Sequence, residues 1–173
     1  VVERADVVYF SILPITNVAP AILELIPYVK TETLWLHGTS IQNPEDCPIV
    51  PVLLNQELLK NGTDVGFLHF MVGPMVRSLR GQSIVYGFPR PLVNPLWEEW
   101  LINLLTPKKP NLFKFSPEQH DEVTTESQLI TMIICLVRGE LWLKQKSSLP
   151  EALQIAGPPY RLQTYGAILG LSQ

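Results

Sequence analysis

The sequence predicts an α/β fold followed by an all-α half, on three observations. Short apolar, β-branched runs alternate with helical patterns over residues 1–115. That alternation implies strands paired in parallel and joined by crossover helices. After residue 115 the strand pattern stops and a long helical pattern begins. The chain has 173 residues and is 46% hydrophobic, enough to bury the core of one large domain or two small ones. The expected organisation is an α/β part, residues 1–115, and a helical part, residues 116–173.

Residues 5–13 (ADVVYFSIL) are β-branched and aromatic and run into Pro14, which reads as a buried first strand. Asn17 is placed to cap a helix with apolar positions Ala21, Ile22, Leu25, Ile26 and Val29. Residues 33–37 (TLWLH) form a second short strand, turned by Gly38-Thr39-Ser40. A helix is expected between residues 47 and 60, ended by Asn61-Gly62 because glycine accepts positive φ. Residues 66–69, 83–88 and 111–115 are the third, fourth and fifth strands, with an amphipathic helix over 92–105. Ser116-Pro117-Glu118-Gln119 has the form of a capping box with proline at the first helical position. The helical pattern that follows runs to about residue 144. Its middle, residues 129–137, is apolar on every face, so burial all round is expected, in a bundle or at a subunit interface. Further helical turns are expected over 151–155 and 160–169.

Composition narrows the function. Net charge is −3, and no cluster of basic residues exceeds Lys108-Lys109, so no nucleic-acid partner is expected. The longest uncharged apolar run, residues 129–137, is far short of the ~20 residues that span a bilayer. No leader pattern opens the chain, and no membrane partner is expected. Two cysteines, Cys47 and Cys135, cannot build a disulfide framework and point to a reducing, cytoplasmic setting. The histidines lack metal-ligand spacing, so no metal site is expected. The patterns G-x-G-x-x-G, G-x-S-x-G and the P-loop are all absent. The chain opens almost on a strand and stops after a helical pattern, so both ends are expected to be cut from a longer protein.

The chemistry is expected where strands end. The first strand leads to Ser11, the second to Thr39 and Ser40, and the third to His69. In a parallel sheet these ends share one edge, where ligands collect and an imidazole is placed for proton work. His37 ends the second strand at the same edge. Beside these stand the structural alternatives: turn caps for Ser11 and Ser40, and a hydrogen-bonded structural role for His69. His120, in Glu118-Gln119-His120-Asp121, reads as a surface or capping histidine. Trp35, Trp97, Trp100 and Trp142 read as core, and Glu98-Glu99 as a solvated helix face. Tyr160-Arg161 follows Gly157-Pro158-Pro159, and a guanidinium there has the planar fork that matches a carboxylate.

Five segments, in order, resemble the prephenate dehydrogenase family of tyrosine biosynthesis. Ala5-Asp6-Val7-Val8 leading to Ser11-Ile12-Leu13-Pro14-Ile15 resembles its A-D-L-V-hydrophobic-S-V-P-I strand and loop. Residues 35–42 (WLHGTSIQ) resemble L-V-D-x-T-S-V-K, and residues 68–74 (LHFMVGP) resemble L-H-P-M-F-G-P. Residues 116–121 resemble the segment ending in E-H-D that opens the family's helical domain. Residues 157–162 (GPPYRL) resemble S-P-x-Y-R-L. The chain departs from the pattern at Phe70, Val72, Gln42, His37 and Gly38.

The resemblance implies a partial Rossmann-like sheet that binds NAD or NADP, followed by a truncated helical domain that dimerises and binds substrate. It implies oxidative decarboxylation of prephenate to 4-hydroxyphenylpyruvate, with nicotinamide as hydride acceptor. His69 matches the catalytic histidine, and Ser40 the serine that helps position the nicotinamide. Arg161 and Tyr160 match the substrate-binding pair, with Arg161 on a carboxylate. Ser11, Leu13, Pro14 and Thr39 match positions that border the cofactor. A homodimer through the helical half is implied. The isolated segment is expected to bind NAD poorly and to be inactive alone, for want of the glycine-rich phosphate loop. Arogenate as substrate, or a truncated non-catalytic dimerising relative, are the alternatives.

Overall fold

The computed structural model describes residues 2–11, 15–43, 47, 49–54, 62–72 and 76–130, together with positions 133, 134, 136, 137, 140 and 144. The chain divides into two compact units, Val1–Asp121 and Glu122–Gln173.

The first unit is an α/β layer of Rossmann-like type. Five strands lie in sequence order: β1 (Val7–Phe10), β2 (Leu34–His37), β3 (Asp64–Phe70), β4 (Ser83–Gly87) and β5 (Asn111–Lys114). The helices are α1 (Val18–Leu25), α2 (Ile49–Leu53), α3 (Leu96–Leu105) and α4 (Pro117–Thr124). β1, β2 and β3 pair in parallel, with Val7 against Leu34 and Leu34 against Asp64. All five expected strands form, shifted at their ends by a few residues.

The sheet is mixed rather than wholly parallel. β4 runs antiparallel to β3, with Phe67 opposite Gly87 and Phe70 opposite Ile84. A parallel return needs a crossover of about a dozen residues, usually a helix. Among the described residues of 71–82 there is none, so the chain simply reverses. β5 follows β4 in parallel because α3 supplies the crossover. Only β1, β2 and β3 therefore send their carboxyl ends to the same edge.

Strand alternation splits the core into two faces. Trp35 and Val65 pack with Val18, Ile22, Ile49 and Leu53 under α1 and α2. Leu34, Leu36, Leu68, Ile84 and Tyr86 pack on the other face against Leu101 and Leu105 of α3. Truncating a fully buried member such as Ile22 costs about 2–5 kcal/mol. Asp64, wholly buried at the start of β3, accepts the backbone N–H of Val93 at 2.7 Å and of Asn94 at 2.9 Å. It thereby anchors the loop that leads into α3.

Several local expectations changed on folding. Asn17 stands at the N-cap position of α1 but makes no capping side-chain bond, because a 3-10 turn (Ile15–Asn17) precedes it. Gly62 does take positive φ, +68°, on entering β3. The capping box forms in full: Gln119 N–H donates to Ser116 Oγ and Ser116 N–H to Gln119 Oε1. Of the expected solvated pair Glu98-Glu99, Glu99 is exposed, while Glu98 is only partly so: its carboxylate accepts from Tyr86 Oη at 3.1 Å and pairs with Lys114 at 2.7 Å. Trp35 is core as expected, but Trp100 is 38% exposed. Trp142 lies outside the described residues. In the second unit, a π turn (Thr125–Leu129) follows α4. There the apolar side chains of Ile130, Ile133, Ile134, Leu136 and Val137 are exposed within the single chain. One chain alone offers those described side chains no cover.

Candidate active site

The shared edge of β1, β2 and β3 collects the polar strand ends that the sequence singled out. Ser11 follows β1 and is exposed. Thr39 and Ser40 follow β2, half-buried and exposed respectively. His69 is the penultimate residue of β3 and is only 8% exposed. Leu13, Pro14, Tyr160 and Arg161 lie outside the described residues.

Period-two alternation puts His37 on the face of β2 that carries Trp35, and His69 on the face of β3 that carries Val65 and Phe67. The start of α4 lays His120 over that face. Its ring centroid is 5.3 Å from that of Phe67 and 5.1 Å from that of His69. His69 Nδ1 and His120 Nε2 are 2.9 Å apart, and His120 Nδ1 is 2.8 Å from Asp121 Oδ1. All three histidines of the chain thus form one cluster.

One expected reading gives way here. His120 is not a surface or capping residue: it is 1% exposed, because α4 leaves β5 across the sheet face instead of away from it. The hydrogen-bond partner of His69 is His120. No sequence spacing links position 69 to position 120. Pro117, His120 and Thr124 form a buried stripe at helical spacing, but their polarity gives no such signal in the sequence.

Asp121 joins this cluster to the turn after β2. Its carboxylate accepts the backbone N–H of Gln42 at 2.8 Å and of Asn43 at 2.7 Å. Gln42 is wholly buried and its side-chain amide donates to the carbonyl of Thr39. Thr39 Oγ1 donates to the Ile41 carbonyl at 3.0 Å and lies 2.8 Å from His37 Nδ1. Since the threonine proton is already committed, His37 Nδ1 carries the hydrogen of that contact. On the other side of the sheet, Tyr9 Oη donates to the Leu68 carbonyl at 3.1 Å, passing over Gly38. A Cβ at residue 38 would lie 2.0 Å from that phenol oxygen.

Burial keeps His37 and His69 uncharged. Burial, then the neighbouring His120, lowers His69 from 6.5 to about 4, with Asp121 acting in the opposite direction. Burial, then His120 and His69, lowers His37 likewise to about 4. At neutral pH both are free imidazoles, and His69 Nε2 has no hydrogen-bond partner among the described residues. The site therefore offers a desolvated proton acceptor at a sheet edge. Among the described residues no group of three or more His, Cys, Asp or Glu is arranged to hold a metal ion. No helix among them is long and apolar enough to cross a membrane.

No protein-family model matches the chain, and no curated protein matches it in sequence. Solved structures do match it. The arogenate dehydrogenase of Synechocystis has a TM-score of 0.67 at 14% identity, covering 99% of this chain and 63% of that one. The prephenate dehydrogenase of Aquifex aeolicus has a TM-score of 0.67 at 11% identity, covering 99% and 67%. The Aquifex enzyme in complex with hydroxyphenyl propionate and NAD+ has a TM-score of 0.67 at 13% identity, covering 94% and 56%. At such identities the likeness carries the fold. This chain spans 63% of the length of the Synechocystis structure.

Proposed function

We propose that this chain carries the proton-accepting part of a nicotinamide-dependent dehydrogenase that oxidatively decarboxylates prephenate to 4-hydroxyphenylpyruvate. The observation that carries the reading is His69: a buried, neutral imidazole at the carboxyl edge of three parallel strands, with no partner for Nε2 among the described residues. The ordered motifs and the fold shared with prephenate and arogenate dehydrogenases support it.

The cofactor in this reading is NAD or NADP. Ser11, Thr39 and Ser40 follow strands that end at this edge, which supports a place for them beside a nicotinamide ring; Leu13 and Pro14 are assigned to the cofactor by the family motif alone. No glycine-rich phosphate loop occurs in this sequence, so these residues fit the nicotinamide end alone. When bound, the nicotinamide supplies the hydride acceptor.

His69 then accepts the proton of the ring hydroxyl at Nε2, which raises electron density on that oxygen and favours departure of hydride from the carbon that bears it. Burial keeps water from competing for Nε2. Arg161, with Tyr160 beside it, grips a substrate carboxylate through a planar fork. Arogenate presents the same ring hydroxyl to His69, so His69 serves either substrate, and groups that meet the side chain choose between them. The exposed apolar set Ile130, Ile133, Ile134, Leu136 and Val137 supports assembly of two copies through the helical half.

The test is turnover by the full-length protein with prephenate or arogenate and each nicotinamide cofactor, following reduced cofactor and the aromatic product together. Expected is cofactor reduction matched by one equivalent of aromatic product. Absence of turnover and of binding for both substrates overturns the reading.

A further inference from the structure

We propose that His120 and Asp121 are positioning residues that hold His69 as its Nδ1–H tautomer and share the charge when its Nε2 accepts a proton. The proposal rests on the reading of His69 above as proton acceptor.

The direction of the hydrogen-bond chain is set from one end. Backbone N–H groups can only donate, and Gln42 and Asn43 aim theirs at both carboxylate oxygens of Asp121. An ionised carboxylate can only accept. His120 Nδ1, 2.8 Å from Oδ1, therefore bears the hydrogen of that contact. A neutral His120 then has a bare Nε2, which faces His69 Nδ1 at 2.9 Å. Only His69 can supply the hydrogen between them, so Nδ1 is protonated and Nε2 is left with its lone pair. With the opposite tautomer His69 would present an N–H to a substrate hydroxyl and accept nothing from it.

The same chain accommodates the transferred proton. The O–H bond of the substrate breaks and an N–H bond forms at His69 Nε2. The Nδ1 proton of His69 moves to His120 Nε2, which leaves His69 neutral and His120 an imidazolium. That cation lies beside the Asp121 carboxylate, which stays unprotonated throughout. On product release the transfers reverse and the proton leaves from His69 Nε2 to water. No atom or electron is left over. The carboxylate also ties residues 42 and 43 to α4, so the turn bearing Thr39 and Ser40 keeps its place relative to His69.

The tautomer can be read without any ligand. In protein labelled with nitrogen-15 at its three histidines, imidazole shifts and two-bond couplings report which nitrogen bears hydrogen. Expected for His69 is hydrogen on Nδ1 and none on Nε2. Asp121→Asn reverses the chain, because the new amide donates to His120 Nδ1. His69 should then carry its hydrogen on Nε2, and kcat should fall on the order of 10³-fold or more with KM little changed. Hydrogen on Nε2 of wild-type His69 overturns the proposal, even if the variant does not fold. So does a folded Asp121→Asn protein whose His69 keeps the wild-type tautomer. A protein with the expected tautomer that turns over neither substrate overturns the functional reading, and with it the sharing of a transferred proton, while the tautomer assignment stands.

Discussion

His69 Nδ1 lies 2.9 Å from His120 Nε2, although 51 positions separate them in sequence. The contact exists because β3 ends at the open edge while α4 crosses its face, with His120 also against Phe67. His37, His69 and His120 are thereby buried together beside the Asp121 carboxylate, and the first predictions follow from that.

Replacing His69 by Asn keeps a polar side chain of similar reach but removes a basic nitrogen. In the active full-length protein kcat should drop about 10²–10⁴-fold, with substrate affinity mostly retained. Steady-state kinetics with a binding isotherm checks this. Unchanged turnover would remove His69 from the mechanism.

Acid should weaken the fold through the same cluster. His37 and His69 sit at about 4 in the folded chain against 6.5 as free side chains. Between those values the unfolded chain binds protons that the folded chain refuses, so stability falls as pH drops from 6.5 towards 4. Above that window these two groups contribute no slope. Each tenfold loss of proton affinity on folding is worth about 1.4 kcal/mol once the pH has crossed the window. Urea midpoints measured across the window should decline steeply, and His37→Leu should flatten part of the decline. A level midpoint in the wild type would contradict the burial of these rings.

The acid limb of kcat/KM should follow His69 in the free enzyme. Activity is expected to persist well below the ordinary histidine range and to decline with an apparent pKa near 4, after correction for unfolding. A limb at 6.5 would mean that the imidazole is solvated.

Gly38 is held small by Tyr9. A methyl group at residue 38 would meet the phenol oxygen at 2.0 Å and Cζ at 2.9 Å. Gly38→Ala should therefore displace Tyr9 from the Leu68 carbonyl and destabilise the unit by about 1–3 kcal/mol. Tyr9→Ala in the same background should recover part of that loss, a coupling that a double-mutant cycle measures. Additive effects would show that the ring moves aside freely.

Asp64 offers a test remote from the cluster. Asp64→Ala leaves the buried N–H groups of Val93 and Asn94 without their acceptor, at a cost on the order of 3 kcal/mol. Thermal melting should show the loss, while the histidine tautomers stay as in the wild type.

The elements were legible in the sequence because their causes are local. Short apolar and aromatic runs marked all five strands, and Ser116 with Gln119 marked the start of α4 by a bond between near neighbours. The edge carrying Ser11, Thr39, Ser40 and His69 followed from parallel pairing of β1 to β3, which strand-helix alternation implies. Strand direction beyond β3 did not follow, since it depends on how a helix-free connection closes.

By itself the sequence determined the strands, the two-part division of pattern and the place of one histidine at a strand end. Tertiary structure alone decided that His120 is buried and that Asp121 reaches back to residues 42 and 43. The physical reason is that a hydrogen-bond chain between positions 42, 69 and 121 depends on the angle at which α4 crosses the sheet. That angle is set by packing across the whole face, and no spacing along the chain records it.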